Sequence, residues 1–266
     1  MLGAVIGDII GSRFEADNHK SKEFDLFTQD SCPTDDSIMT LAIAKALLAS
    51  REDWSQLPKN AVKYMQEIGR QYPDCGYGGH FFYWIFSDYP QSYGSYGNGS
   101  AMRISAVGFA ADSIEQAKAL SQAVTEVSHD HPEGLKGAEA VAVAIFLARN
   151  GSSRHEIRDY IEKNYYPMDF TLDQIREDYS FDVTCQGSVP QAFQAFFESQ
   201  DFEDAIRNAI SIGGDSDTIA AICGGLAEAY YGIPTPIRNQ AMTYLDDHLV
   251  EIVDTFESAY PIHPNK

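Results

Sequence analysis

The chain has 266 residues, a formal net charge of -20, and 44% hydrophobic and 12% aromatic residues. That length holds one large core or two modest domains, and the negative field excludes general binding to nucleic acid or to anionic membranes. Four cysteines (Cys32, Cys75, Cys185 and Cys223) form no CxxC pair, which reads as reduced thiols in a cytoplasmic protein.

The opening Met1-Leu-Gly-Ala-Val-Ile-Gly-Asp8 lacks the basic start of a secretory signal. No later run approaches the roughly 18 apolar residues of a membrane span. Leu2 to Ile10 is apolar and rich in small residues, so a buried helix is expected, with Gly3, Ala4 and Gly7 allowing a close neighbour. It closes at Gly11-Ser-Arg-Phe-Glu15, and residues 16–30 show no period, which predicts a mobile loop. A helix from about Asp36 to Ser50 and an amphipathic surface helix from Asn60 to Tyr72 follow.

Cys75-Gly-Tyr-Gly-Gly-His80 introduces the aromatic stretch Phe81 to Phe86, which is open to strand or helix; a helix packed on the core is preferred. Residues 90–100 form a Gly/Tyr/Ser loop before a helix over Ala101 to Phe109. Such a loop offers backbone N–H groups to a phosphate, although Gly-rich loops are usually plain turns. Helices are expected over Ile114 to Ser128 and Leu135 to Ala148. Residues 151–183 read as a short helix plus a surface excursion. Ser188 is read as the cap of a helix to Phe197, Asp201 to Ile210 forms another, and Ile219 to Tyr231 is buried. Pro234 and Pro236 precede a final amphipathic helix over Asn239 to Glu257. Helical periodicity and the absence of a linker give an all-α, single-domain chain over residues 1–266.

Two clusters carry chemistry. Ser31-Cys-Pro-Thr34-Asp35-Asp36-Ser37 and Gly213-Gly-Asp215-Ser-Asp217-Thr218 each place acids and hydroxyls at the mouth of a helix too apolar for the surface. Either cluster alone reads as an N-cap. Together they hold more acid than caps require, and so many oxygens at two helix mouths repel unless a cation lies between them. Oxygen donors without clustered His or Cys suit Mg²⁺, Ca²⁺ or Mn²⁺. The two clusters are therefore expected to converge on one site.

The motifs Gly7-Asp-Ile-Ile-Gly-Ser-Arg-Phe-Glu15, Thr34-Asp-Asp-Ser37, Gly76-Tyr-Gly78, Tyr96-Gly-Asn-Gly-Ser-Ala-Met-Arg103, Ser128-His129 and Gly213-Gly-Asp-Ser-Asp-Thr-Ile-Ala220 stand in the order of the ADP-ribosyl-hydrolase, or ADP-ribosylglycohydrolase, family, which this chain resembles over residues 3–232. The resemblance implies an orthogonal helical bundle around two Mg²⁺ ions, with Mn²⁺ as a substitute, and cleavage of the bond between ADP-ribose and an acceptor. It implies metal ligands at Thr34, Asp35, Asp36, Asp215, Asp217 and Thr218, and a catalytic carboxylate at Glu15. It also implies substrate contacts at Gly76, Tyr77, Gly78, Ser95, Tyr96, Gly97, Asn98, Gly99, Ser100 and His129. Ser37 stands where Thr is common in the family, and residues 151–183 match no motif.

The chemistry agrees. Glycosidic cleavage is commonly shared by two carboxylates, and a carboxylate held by metal stays ionised, which leaves Glu15 freer to exchange a proton. Metal charge also lets an acidic protein attract a diphosphate. The expected partner is an ADP-ribosylated substrate and the expected state a monomer. Competing readings are a metal-dependent nucleotide phosphohydrolase and a non-catalytic ADP-ribose-binding module. His80 and the aromatics after it read as packing, His131 as a turn residue, and Cys32 and Cys223 as buried fillers. Arg103 pairs either with a phosphate or with a carboxylate at the core edge, and stays outside the expected site.

Overall fold

The computed structural model describes residues 1–261. Among these, fifteen α-helices follow one another: α1 (Leu2–Gly11), α2 (Asp35–Ser50), α3 (Leu57–Gly69), α4 (Gly79–Phe86), α5 (Gly99–Met102), α6 (Ser105–Ala110), α7 (Ile114–Thr125), α8 (Pro132–Arg149), α9 (Arg154–Asn164), α10 (Leu172–Ile175), α11 (Cys185–Phe197), α12 (Phe202–Ile210), α13 (Ser216–Tyr231), α14 (Thr235–Met242) and α15 (Asp247–Ala259). No strand occurs among the described residues; one isolated bridge pairs Gly97 with Thr184. The all-α expectation holds. No described helix is long and apolar enough to cross a membrane.

The centre of the fold is the antiparallel pair α1 and α13. Every residue of α1 is buried, as is α13 from Ser216 to Ala229. Two helices can be buried this completely only if small residues let their backbones touch. A Cβ on Gly7 would overlap the Ala220 carbonyl, one on Gly3 would overlap the Gly224 carbonyl, and one on Gly11 would lie 2.6 Å from the Asp217 Cα. The spacing of four puts all three glycines on one face of α1. Around this pair one continuous apolar cluster draws side chains from α2, α3, α6, α8, α11, α12 and α15.

Several boundaries differ from the sequence reading, each for a local reason. The third helix starts at Leu57, because Pro58 is tolerated in a first turn where its missing N–H has no partner to lose. The helix expected over Ala101 to Phe109 breaks into α5 and α6 around Arg103 and Ile104. Helix α8 begins at Pro132, since His131 caps it by accepting the Glu133 N–H through Nδ1. Thr184, not Ser188, caps α11, and Pro190 lies inside that helix. The last helix is two, separated at residues 243–246. Within 151–183, Ser153 and Thr171 start α9 and α10 with capping boxes.

The close pair makes a stability prediction. Gly7→Ala gains about 1 kcal/mol of helix propensity, but its methyl meets backbone that cannot rotate aside, and overpacking costs typically 1–3 kcal/mol or more. Urea unfolding is expected to show a net loss of roughly 2 kcal/mol; a midpoint equal to or above that of the parent protein contradicts the packing argument.

Candidate functional site

Helices α1, α2 and α13 bring their acid-bearing ends to one place. Asp8, at the end of the second turn of α1, is fully buried and accepts hydrogen bonds from the Thr34 N–H (2.9 Å), the Thr34 hydroxyl (2.6 Å), the Ser37 N–H (3.0 Å) and the Ser37 hydroxyl. It therefore serves as a second cap on α2, satisfying first-turn donors that the Thr34 side chain alone does not reach. Asp8 was not among the expected site residues. Its signal in the sequence is a single acid in the otherwise apolar run Leu2 to Gly11.

Carboxylate oxygens of Asp8, Asp36 and Asp217 lie within 4.8 Å of one another, and so do those of Glu15, Asp215 and Asp217. Asp217 belongs to both groups. The expected convergence of the two clusters is thus observed across nearly the whole chain. The Thr218 hydroxyl donates to Asp36 Oδ2 at 3.3 Å, while Asp36 Oδ1 is buried without a partner. Asp215 Oδ2 accepts from the Asn98 amide at 2.7 Å. Asp35 lines the cavity floor and Gly76 approaches it with φ +111°, where any Cβ would stand 3.1 Å from the Asp35 Oδ1.

The charges are strained by this arrangement. Burial, against four hydrogen bonds, pushes the Asp8 carboxyl up to about 6. Burial and the neighbouring Asp8 and Asp215 charges push Asp35 up to about 7. Asp36 and Asp217 are raised well above the ordinary range by burial first and then by their acidic neighbours. Two features offset part of the cost. The first turns of α2 and α13 both point their positive dipole ends at the cluster. A divalent cation would offset more: the donors are all oxygen, one of them has no other partner, and the spacing fits hard-ion ligation. The residues present fit such an ion.

A cavity of about 380 Å³ opens above these acids. It is lined by Glu15, Asp35, Asp36, Asp215, Asp217 and Thr218 together with Gly76, Gly78, Ser95, Gly97, Asn98, Gly99, Arg103 and His129. Glu15 is exposed at its rim, and burial with the Asp215 and Asp8 charges raises its carboxyl. Four expected residues are not among those lining the cavity. The Thr34 hydroxyl is committed to Asp8. The Tyr77 ring packs against Phe81 and donates to the Gly69 carbonyl at 3.3 Å. Tyr96 packs on His131, and the Ser100 hydroxyl is buried against the Gly134 carbonyl.

Other expectations need correcting. The loop amides offered to a phosphate are largely spent inside the protein: the Gly97, Asn98 and Ser100 N–H groups bond to Ser95 Oγ, the Val183 carbonyl and the Gly97 carbonyl. Phe81, Trp84 and Ile85 are core, but Phe82, Tyr83 and Phe86 are exposed on the other face of α4. His80 lines the cavity instead of packing in the core. Cys32 is exposed, while Cys223 is buried as expected. Arg103, set aside in the sequence, is fully buried, lines the cavity and makes no ion pair among the described residues. From residues 151–183, Phe181 and Val183 border the cavity, and the Val183 carbonyl accepts from the Asn98 N–H at 2.8 Å, next to the Gly97–Thr184 bridge.

The structure is an all-α bundle with a buried acidic centre able to hold metal, set at an open cleft. The ADP-ribosylglycohydrolase family model matches residues 1–261. The chain belongs to the ADP-ribosylglycohydrolase family and is an enzyme of that class. It is similar to human "ADP-ribosylhydrolase ARH3", 26% identical over 309 aligned residues covering 88% of this chain and 84% of that protein. It is also similar to "ADP-ribosylarginine hydrolase Tri1" of Serratia proteamaculans (strain 568), 26% identical with 89% and 72% covered. Among solved structures, an "ADP-ribosylglycohydrolase-related protein complex" shares the fold with a TM-score of 0.71 and 22% identity, covering 98% of this chain and 95% of that one.

The raised carboxyls fix the sign of a pH effect in metal-free protein. Folded Asp8 and Asp35 bind protons more tightly than the unfolded chain, whose value is near 3.8, so stability is lost as pH rises from about 4 through 7. In EDTA, melting temperature is expected to fall between pH 5 and pH 7.5, and excess Mg²⁺ is expected to shrink the difference. Asp217→Asn removes one repelling charge, so it should raise the metal-free melting temperature at pH 7.5 while weakening the gain from Mg²⁺. A melting temperature that rises with pH in EDTA contradicts this account.

Proposed function

We propose that this enzyme is a Mg²⁺-dependent hydrolase that releases ADP-ribose from an acceptor, with Mn²⁺ able to replace Mg²⁺. The observation that carries the reading is the make-up of one cleft: buried carboxylates able to hold a cation, lined in the same cavity by Arg103, His129 and a glycine loop. A ligand that combines an oxygen-rich sugar with a diphosphate matches that lining. The relatives named as ADP-ribosyl and ADP-ribosylarginine hydrolases support the same substrate class. Four free cysteines fit a reducing, cytoplasmic setting.

Asp8, Asp36, Asp215, Asp217 and Thr218 would hold the metal, with Asp35 at the cavity floor. An ion held by these residues would supply Lewis-acid polarisation of ribose oxygens and of a water molecule. The protein's own part is positional and acid–base. Water adds to the anomeric carbon as the bond to the acceptor breaks; one water proton passes to a carboxylate and from there to the leaving atom, which departs with it. Glu15 suits that exchange because it stands at the cavity rim with its carboxyl raised toward the working range. Its closeness to Asp215 and Asp217 also makes it a candidate ligand, so the two roles need separating.

Single-turnover rates of Glu15→Gln at low and saturating Mg²⁺ separate them. Loss of roughly 10²–10⁴-fold that metal does not rescue is the expected result for a proton-exchanging group. Recovery with added Mg²⁺ assigns Glu15 to the metal, and an unchanged rate removes it from the reaction. Product analysis tests the reaction itself: free ADP-ribose is expected, whereas AMP with ribose phosphate points to a phosphohydrolase. Binding of ADP-ribose without turnover on any of a panel of linkages points to a non-catalytic module.

A further inference from the structure

Arg103 is a cation held in the break between α5 and α6, with no ion pair among the described residues and Asp35 as the carboxylate whose charge reaches it. Its Nε and Nη1 are buried without partners, and its guanidinium carbon lies 5.0 Å from the centre of the Phe81 ring. Its Nη2 contacts are made with one residue pair. Nη2 donates to Ser128 Oγ at 2.7 Å and lies 3.3 Å from His129 Nδ1, while Ser128 Oγ lies 2.9 Å from the same Nδ1. Burying an arginine this way is costly, which calls for a role beyond filling space.

Proton positions follow from the donors. A guanidinium only donates, so Ser128 Oγ accepts from Nη2 and keeps its own hydrogen free to turn toward Nδ1. The same cation faces Nδ1, which therefore presents its lone pair. The imidazole proton is left on Nε2. That nitrogen is on the side of the ring facing the glycine loop: a Cβ on Gly99 would stand 3.4 Å from it, and one on Gly97 3.8 Å. Phe81 and Tyr93 flank the ring, with centroids 6.0 and 5.6 Å away, and hold its plane.

The geometry points to Arg103 as a positioning residue that, through Ser128, locks His129 in the Nε2–H form as a hydrogen-bond donor to the substrate in the cleft. The role deepens the proposed function and rests on it for the identity of the ligand, an ADP-ribose conjugate. Burial and the adjacent Arg103 charge also hold the imidazole well below its ordinary protonation range, so it donates without becoming a cation. A neutral donor of fixed direction suits a sugar hydroxyl or a phosphate oxygen that must be bound and then released.

The test reads the tautomer directly. Protein labelled with ¹⁵N-histidine, with His129 assigned by comparison with His129→Gln, is expected to show a protonated Nε2 and a bare Nδ1 at neutral pH without substrate or metal. Arg103→Met is expected to lose that pattern and raise KM for an ADP-ribosylated substrate about ten-fold with kcat changed less than two-fold, as for loss of one ground-state hydrogen bond. Ser128→Ala, a smaller change, is expected to move the tautomer in the same direction, and Arg103→Lys to restore KM to within about three-fold by returning a donor and a charge. A protonated Nδ1 in the parent protein overturns the role. So does an unchanged tautomer in both Arg103→Met and Ser128→Ala. The stated pattern in a protein that turns over no ADP-ribose conjugate removes the proposed function and leaves the positioning of His129 standing.

Discussion

Contact between the backbones of α1 and α13 is the constraint on which the site depends. With Gly3, Gly7 and Gly11 facing Gly224, Ala220 and Asp217, the two helices approach closer than any side chain permits. Antiparallel packing then sets the C-terminal half of α1 beside the N-terminal mouth of α13. Asp8 comes to rest against the first turn of α2 and Glu15 against Asp215 and Asp217. A looser pair would separate these oxygens by the thickness of a side-chain layer, and one ion would no longer reach both groups. The glycines therefore position the acidic centre at one remove.

That placement concentrates negative charge where water is scarce, and the rest of the cleft is arranged around the consequence. Two helix N-termini aim at the acids, Asp8 is satisfied by four donors, and Asn98 and Thr218 each give one more. What these leave uncompensated is a binding affinity for a cation held in reserve: the free energy that raises the carboxyl groups in the metal-free protein is returned when a divalent ion enters. Stability and metal affinity are in this sense the same quantity measured in two states.

Much of this was legible in the sequence, and the exceptions have physical causes. The acid clusters at two apolar helix mouths announced their own meeting, because buried like charges have few arrangements they tolerate. The all-helical fold followed from periodicity. Asp8 was hidden because a single acid in an apolar helix carries no spacing signal; only the depth of burial reveals what it must be doing. Arg103 was hidden because its partner is a neutral serine–histidine pair, not the carboxylate or phosphate that a cation invites one to look for. The exposed face of α4 was missed because six consecutive large apolar or aromatic residues read as core whichever way the helix turns. Helix ends shifted where a capping side chain three or four residues earlier, His131 or Thr184, competed with the expected start.

The cleft also resolves the conflict between a chain of net charge -20 and an anionic ligand. Long-range repulsion is screened within about 8–10 Å at physiological salt, so the charges near the ligand decide its binding. The cleft lining holds both signs: the buried acids, where a cation would restore the balance, and Arg103, buried under Phe81 and 3.3 Å from the His129 imidazole. A direct guanidinium–diphosphate pair would hold product as firmly as substrate. A fixed neutral donor gives direction with less affinity, which suits an enzyme whose product retains the same ADP-ribose group as its substrate.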